Sequence, residues 1–102
     1  MTQYIKVGKA EELGEGKAKV AQVDGLRIAL FRVGGRFYAL EASCPHEGGP
    51  LAEGTVEGVH VVCPWHGYDY NLKTGECGQD PDLHVLTYPV KVEAGDLLIE
   101  MP

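Results

Sequence analysis

An all-β fold, antiparallel and carrying a loop-rich metal-binding insert, is what this sequence predicts. Three observations carry that expectation: short runs of alternating apolar and polar residues, glycine-containing turns between them, and a change of composition over residues 42–82. That stretch holds all three Cys, three of the four His and the only Trp, among many Gly and Pro. The 102 residues read as one domain, with a scaffold over about 1–41 and 83–102 and a metal-binding subdomain over about 42–82.

Taken in order, residues 9–13 offer the only helical suggestion, one turn at most. Residues 17–23 alternate as a half-buried strand does, and Asp24-Gly25 then supplies a two-residue turn. Residues 26–33 make a second run, Gly34-Gly35 a second turn, and residues 36–40 a third run. Asp-Gly and Gly-Gly suit tight hairpins because both accept positive φ. Inside the insert, residues 59–62 and 68–72 read as short strands, the second turned by Lys73-Thr74-Gly75. Residues 88–92 and 97–101 flank a hairpin at 93–96. Pro89 has no N–H for a ladder, so it belongs at a strand start or a sheet edge.

The formal net charge of −6 argues against nucleic acid or an anionic membrane as the main partner. It suits docking on a basic patch of another protein. The first eight residues show no basic head followed by an apolar stretch, and no run is long enough to cross a bilayer as a helix. Three Cys cannot all pair in disulfides, so thiols used as metal ligands in a cytoplasmic protein are the simpler expectation.

The chemistry lies in Cys44-Pro45-His46 and Cys63-Pro64-Trp65-His66, with sixteen residues between His46 and Cys63. Each motif offers one soft thiolate and one imidazole. Such a set suits a centre with two inequivalent halves, as when two Cys hold one iron and two His the other. It equally makes a legitimate tetrahedral zinc set. Against zinc, Cys44-x-His46 is tighter than the usual finger spacing, and no recognition helix follows.

From about residue 40 to 92 the chain resembles the Rieske ferredoxins, small carriers that serve bacterial ring-hydroxylating oxygenases. The resemblance rests on Cys-x-His-x16-Cys-x-x-His, then Gly67, Asn71-Leu72-Lys73-Thr74-Gly75-Glu76 and Tyr88-Pro89-Val90. It implies an antiparallel β-sandwich of Rieske type with a small cluster-binding subdomain, and one [2Fe–2S] cluster held by Cys44, His46, Cys63 and His66. It implies transfer of single electrons from a flavin-dependent reductase to a terminal oxygenase, with no substrate chemistry in this chain and a monomeric state. Gly48, Gly49 and Gly67 are then expected to let backbone N–H groups approach the sulfurs, with Trp65 and Leu51 limiting water.

High-potential Rieske proteins carry two extra Cys where this chain has Gly49 and Trp65, and a Ser where it has Tyr68. Fewer hydrogen bonds to sulfur leave a lower potential, toward the bottom of a span of roughly −150 to +300 mV. Tyr70 pulls the other way, since it matches a Tyr whose hydroxyl bonds a ligand sulfur in that group. Two other roles stay open: a small Rieske subunit of a larger, nitrite-reductase-like assembly, and a structural zinc module. Outside the motifs, Cys77 reads as a free thiol, His60 as a surface or half-buried polar residue, and His84 as solvated. Glu47, beside His46, is expected to lower the potential further where it stays ionised.

Overall fold

The computed structural model describes residues 3–43, 50–65 and 67–101. They form ten strands: β1 (Gln3–Lys9), β2 (Ala18–Val23), β3 (Leu26–Val33), β4 (Arg36–Glu41), β5 (Thr55–Glu57), β6 (His60–Val62), β7 (Asp69–Asn71), β8 (Thr87–Tyr88), β9 (Val90–Glu93) and β10 (Asp96–Met101). All pairings are antiparallel and make three sheets, ordered β1-β10-β9, β2-β3-β4-β8 and β5-β6-β7.

The central sheet is buried on both faces, which explains why β3 shows four buried residues in a row, Ile28, Ala29, Leu30 and Phe31. A strand sends alternate side chains to opposite faces. Ile28 and Leu30 therefore join Ala39, Leu97, Ile99, Met101 and Leu13 in one core, beneath the β1-β10-β9 sheet. Ala29 and Phe31 join Leu40, Leu51, Val61, Tyr70 and Leu72 in a second core, beneath the β5-β6-β7 sheet.

The turns are where the dipeptides place them. Asp24 and Gly25 have φ of 50° and 82°, and Gly34 and Gly35 have 62° and 77°. The Glu15 carboxylate closes the second turn, accepting from Gly34 N at 2.6 Å and Gly35 N at 2.8 Å. The C-terminal hairpin is tighter than the four-residue expectation, with Ala94 (φ 52°) and Gly95 (φ 84°) as its centre.

Elsewhere the structure adds to the sequence reading: β5, like β1, is not marked as a strand there. Residues 3–9 form β1, whose pairing with β10 skips a residue between Lys6 and Gly8. That bulge breaks the alternation that would have marked a strand. The helical suggestion at 9–13 is a short 3-10 turn, Ala10–Glu12, in which Glu12 Oε1 accepts from Lys9 N at 3.0 Å. The run at 88–92 is two strands: Thr87–Tyr88 pairs with β4 and Val90–Glu93 with β10. Pro89 sits at the changeover, where a missing N–H costs no ladder bond.

Candidate metal centre

Two closed necks stand at the second core. The first neck is the pairing of Ser43 with Pro50, reinforced by Leu51 N donating to Ala42 O at 2.9 Å. Leu51 is fully buried beneath it. The second neck follows β6: Cys63 N donates to Tyr68 O at 2.7 Å, and Gly67 N donates back to Cys63 O at 3.1 Å. Gly67 adopts φ of 74°, a left-handed conformation that strains any residue with a Cβ. Ala42 and Leu51 of one neck share a core with Cys63 of the other, so the two necks stand on one packed base.

Of the expected site residues, Cys44, His46, Gly48, Gly49 and His66 lie outside the described residues, as does Glu47. Those described behave distinctly. Cys63 is buried, with 2% of its surface exposed. Trp65 leaves 55% of its surface open, so as a shield it is partial, and its remaining face is available to a partner. Tyr70 is fully buried in the middle of β7, opposite Val61 and bridged to Cys77. A donor set of two thiolates and two imidazoles, with one thiol already held in an apolar base, fits a centre that must be kept from water.

The residues set aside on sequence grounds also find places. Cys77 is a free thiol buried in the same core, its Sγ 3.7 Å from Gln79 Oε1. His84 is exposed. His60 is half-buried, as expected, but it is not idle: its Nδ1 lies 3.0 Å from Asp69 Oδ2. Asp69 and Gln79 are functional candidates that the sequence did not mark, since neither stands at a recognisable spacing from the motifs.

The segment after β7 returns across the insert and is tied at both ends. Near its start, Gly78 N donates to Asp69 O at 2.9 Å, and Val85 N donates to Gly75 O at 2.9 Å. At its end, Leu86 N donates to Glu41 Oε1 at 2.6 Å, while Glu41 N donates to Leu86 O at 3.0 Å. The same carboxylate, after burial itself, helps hold the Tyr88 hydroxyl above the ordinary tyrosine range.

Comparison with known proteins agrees with this geometry. The Rieske [2Fe-2S] domain family matches residues 3–89. The 3-phenylpropionate/cinnamic acid dioxygenase ferredoxin subunit of Escherichia coli (strain K12) is 44% identical over 80 residues, covering 74% of this chain and 73% of that protein. Among solved structures, a chain in the complex of reduced oxygenase and oxidised ferredoxin of carbazole 1,9a-dioxygenase superposes with a TM-score of 0.85 at 31% identity. It covers 94% of this chain and 91% of its own. A putative NADH-dependent nitrite reductase small subunit from Mycobacterium tuberculosis shares the fold with a TM-score of 0.93 at 24% identity, covering 100% of this chain and 97% of its own. With its two closed necks, its buried Cys63 and its two thiolate–imidazole motifs, the chain belongs to the Rieske [2Fe-2S] domain family, as an electron carrier with one Rieske-type cluster rather than a catalyst.

Proposed function

We propose that this chain carries single electrons from a flavin-dependent reductase to a terminal oxygenase, with Cys44 and Cys63 holding one iron and His46 and His66 the other. The cluster, when bound, accepts one electron and returns it. The observation that supports this most is the pairing of one thiolate–imidazole motif with each of two loops whose necks share one core. The dioxygenase ferredoxin relative and the oxygenase–ferredoxin complex favour an oxygenase as acceptor.

The chain's own residues then divide the work. Residues 42–82 act as the cluster-binding subdomain and the rest as its scaffold. Leu51, Val61 and Tyr70 keep water from the base on which Cys63 stands. Gly67 lets the second loop turn back on itself within hydrogen-bonding reach of Cys63. Trp65, beside His66 in sequence and more than half exposed, contributes an amphipathic contact for the acceptor. The net charge of −6 steers the protein, as a cytoplasmic monomer, toward basic docking faces. Among the described residues no helix is long and apolar enough to cross a membrane.

The test is assembly followed by turnover. Purified protein is expected to hold iron and acid-labile sulfide in equal amounts and to give a reduced-state EPR spectrum with mixed nitrogen and sulfur ligation. It should also restore electron flow between a flavin reductase and an oxygenase of the dioxygenase type. Zinc without sulfide overturns the ligand assignment. A loaded protein recovered only in a tight assembly with a large reductase overturns the shuttle.

A further inference from the structure

The outer face of the β5-β6-β7 sheet holds a second set of contacts, which point at the stem of the second loop. Asp69 opens β7 and pairs with Val62 across the ladder, so it stands where the 63–68 loop rejoins the sheet. Three hydrogen bonds and one close carboxylate–imidazole contact converge on it. Its N–H donates to Gln79 Oε1 at 2.8 Å, while Gln79 Nε2 donates to Asp69 Oδ1 at 2.5 Å. Its carbonyl accepts from Gly78 N at 2.9 Å. Its second carboxylate oxygen lies 3.0 Å from His60 Nδ1, off the line of a hydrogen bond, and that nitrogen is shut off from water.

The fit around Asp69 is close. A Cβ at Gly78 would stand 2.6 Å from Asp69 Oδ1 and 2.9 Å from Oδ2, so any larger residue there would displace the carboxylate from its present contacts. Asp69 and Gln79 also line one shallow groove of about 420 Å³ together with His60, Val62 and Gly67. Gly67 belongs to the loop's own turn, through its bond to Cys63 O. Asp69 is thus connected to the turn through backbone alone: Asp69 to Tyr68 by the chain, Tyr68 O to Cys63 N, and Cys63 O to Gly67 N.

We propose that Asp69 and Gln79 are positioning residues for the 63–68 loop, a reciprocal clasp that fixes the orientation of the second ligand pair. The proposal rests on the ligand assignment above. Partners that orient metal ligands are worth roughly 10–100-fold in metal retention, and charge-assisted bonds are the stronger kind. Neither residue carries a ligand atom, so the clasp acts through the turn alone.

Gln79→Ala removes both reciprocal bonds without changing charge. Its cluster is expected to bleach under a chelator about tenfold faster than the parent's, and its reduced-state EPR g values to shift. The double variant Asp69→Asn/Gln79→Glu exchanges amide and carboxylate. The amide introduced at 69 then donates to the carboxylate introduced at 79, and the backbone bond is kept at the same net charge. It is expected to regain the parental bleaching rate and g values. A Gln79→Ala protein that loses only thermal stability, with parental bleaching and EPR, overturns the proposal, and so does an exchange variant that fails to recover. A parent that takes up no iron and sulfide sinks the ligand assignment as well; a loaded parent matched by Gln79→Ala sinks the clasp alone.

Discussion

The two cores on either side of the central sheet are built differently. The scaffold core is aliphatic, with Leu13, Val23, Ile28, Leu30, Ala39, Leu97, Ile99 and Met101, and it lies between strands mostly six to eight residues long. The core under the loops adds Phe31, Tyr70 and two thiols, and its own sheet has strands of only three residues. Long ladders satisfy their backbone groups within themselves. Short strands leave more of the chain in loops, so the insert depends on side-chain anchors such as Asn71, whose Oδ1 accepts from Lys73 N at 2.8 Å and Thr74 N at 3.2 Å. The lesson is a division of labour: one side of the sheet is held by long ladders, and the other by short strands and side-chain anchors.

The sharpest way to break that comparison is to remove Cys63, one of the four proposed ligands. Cys63→Ala is expected to abolish the cluster, because it leaves no donor atom at that position of the proposed ligand set. Loss of the cluster should then show up locally. Amide hydrogen exchange in β5–β7 is expected to accelerate strongly, while β2–β4 stay protected. Uniform acceleration over both regions would show a single cooperative unit in place of two.

A paired truncation sharpens it. Leu30→Ala and Leu51→Ala each open a cavity at a buried site, at a cost of about 2–5 kcal/mol. Leu30 belongs to the scaffold core, so its variant is expected to unfold at lower denaturant with an unchanged visible spectrum. Leu51 supports the neck of the first loop, so its variant is expected to lose cluster during purification as well. Equal cluster retention in the two would place the base of the centre elsewhere.

Tyr70 gives a smaller effect on the same side. Its side chain is fully buried, and phenylalanine keeps the ring while removing only the hydroxyl. Tyr70→Phe is expected to lower the midpoint potential by less than ~59 mV, the equivalent of a tenfold change in relative affinity for one electron. An unchanged potential in protein-film voltammetry would mean that the hydroxyl serves the fold and not the redox site.

The scaffold was more legible in the sequence than the insert, for the same physical reason that separates the cores. Asp24-Gly25 and Gly34-Gly35 announce their hairpins locally, and alternation along residues 17–40 marks the strands between them. Residues 3–9 escaped because a bulge between Lys6 and Gly8 breaks the period, and β5, three residues enclosed by Gly54 and Gly58, escaped too although β6 and β7 are no longer than it. The ligand motifs stood out by their chemistry. What could not be read was the pairing of Asp69 with Gln79, ten residues apart and brought together where the chain returns past β7. Nothing in their spacing encodes that pairing.

The least effect should come from an exposed carboxylate of the scaffold, Glu15. Its carboxylate accepts from the backbone of Gly35 and Gly34, which hold its pKa below the ordinary value of 4.5, with a smaller pull from Arg32. A carboxylate lowered by folding adds stability above its unfolded pKa and loses it as pH falls through the folded value. Full exposure screens the contribution, so it should be small. Glu15→Gln is therefore expected to lower the thermal midpoint slightly at neutral pH and not at all once both forms are protonated, well below the ordinary value. The cluster's EPR spectrum should be the same in both proteins at every pH where it survives. A change in that spectrum would mean that the central sheet relays strain from the Gly34-Gly35 turn through β3 to Phe31, and that the two cores are less independent than their composition implies.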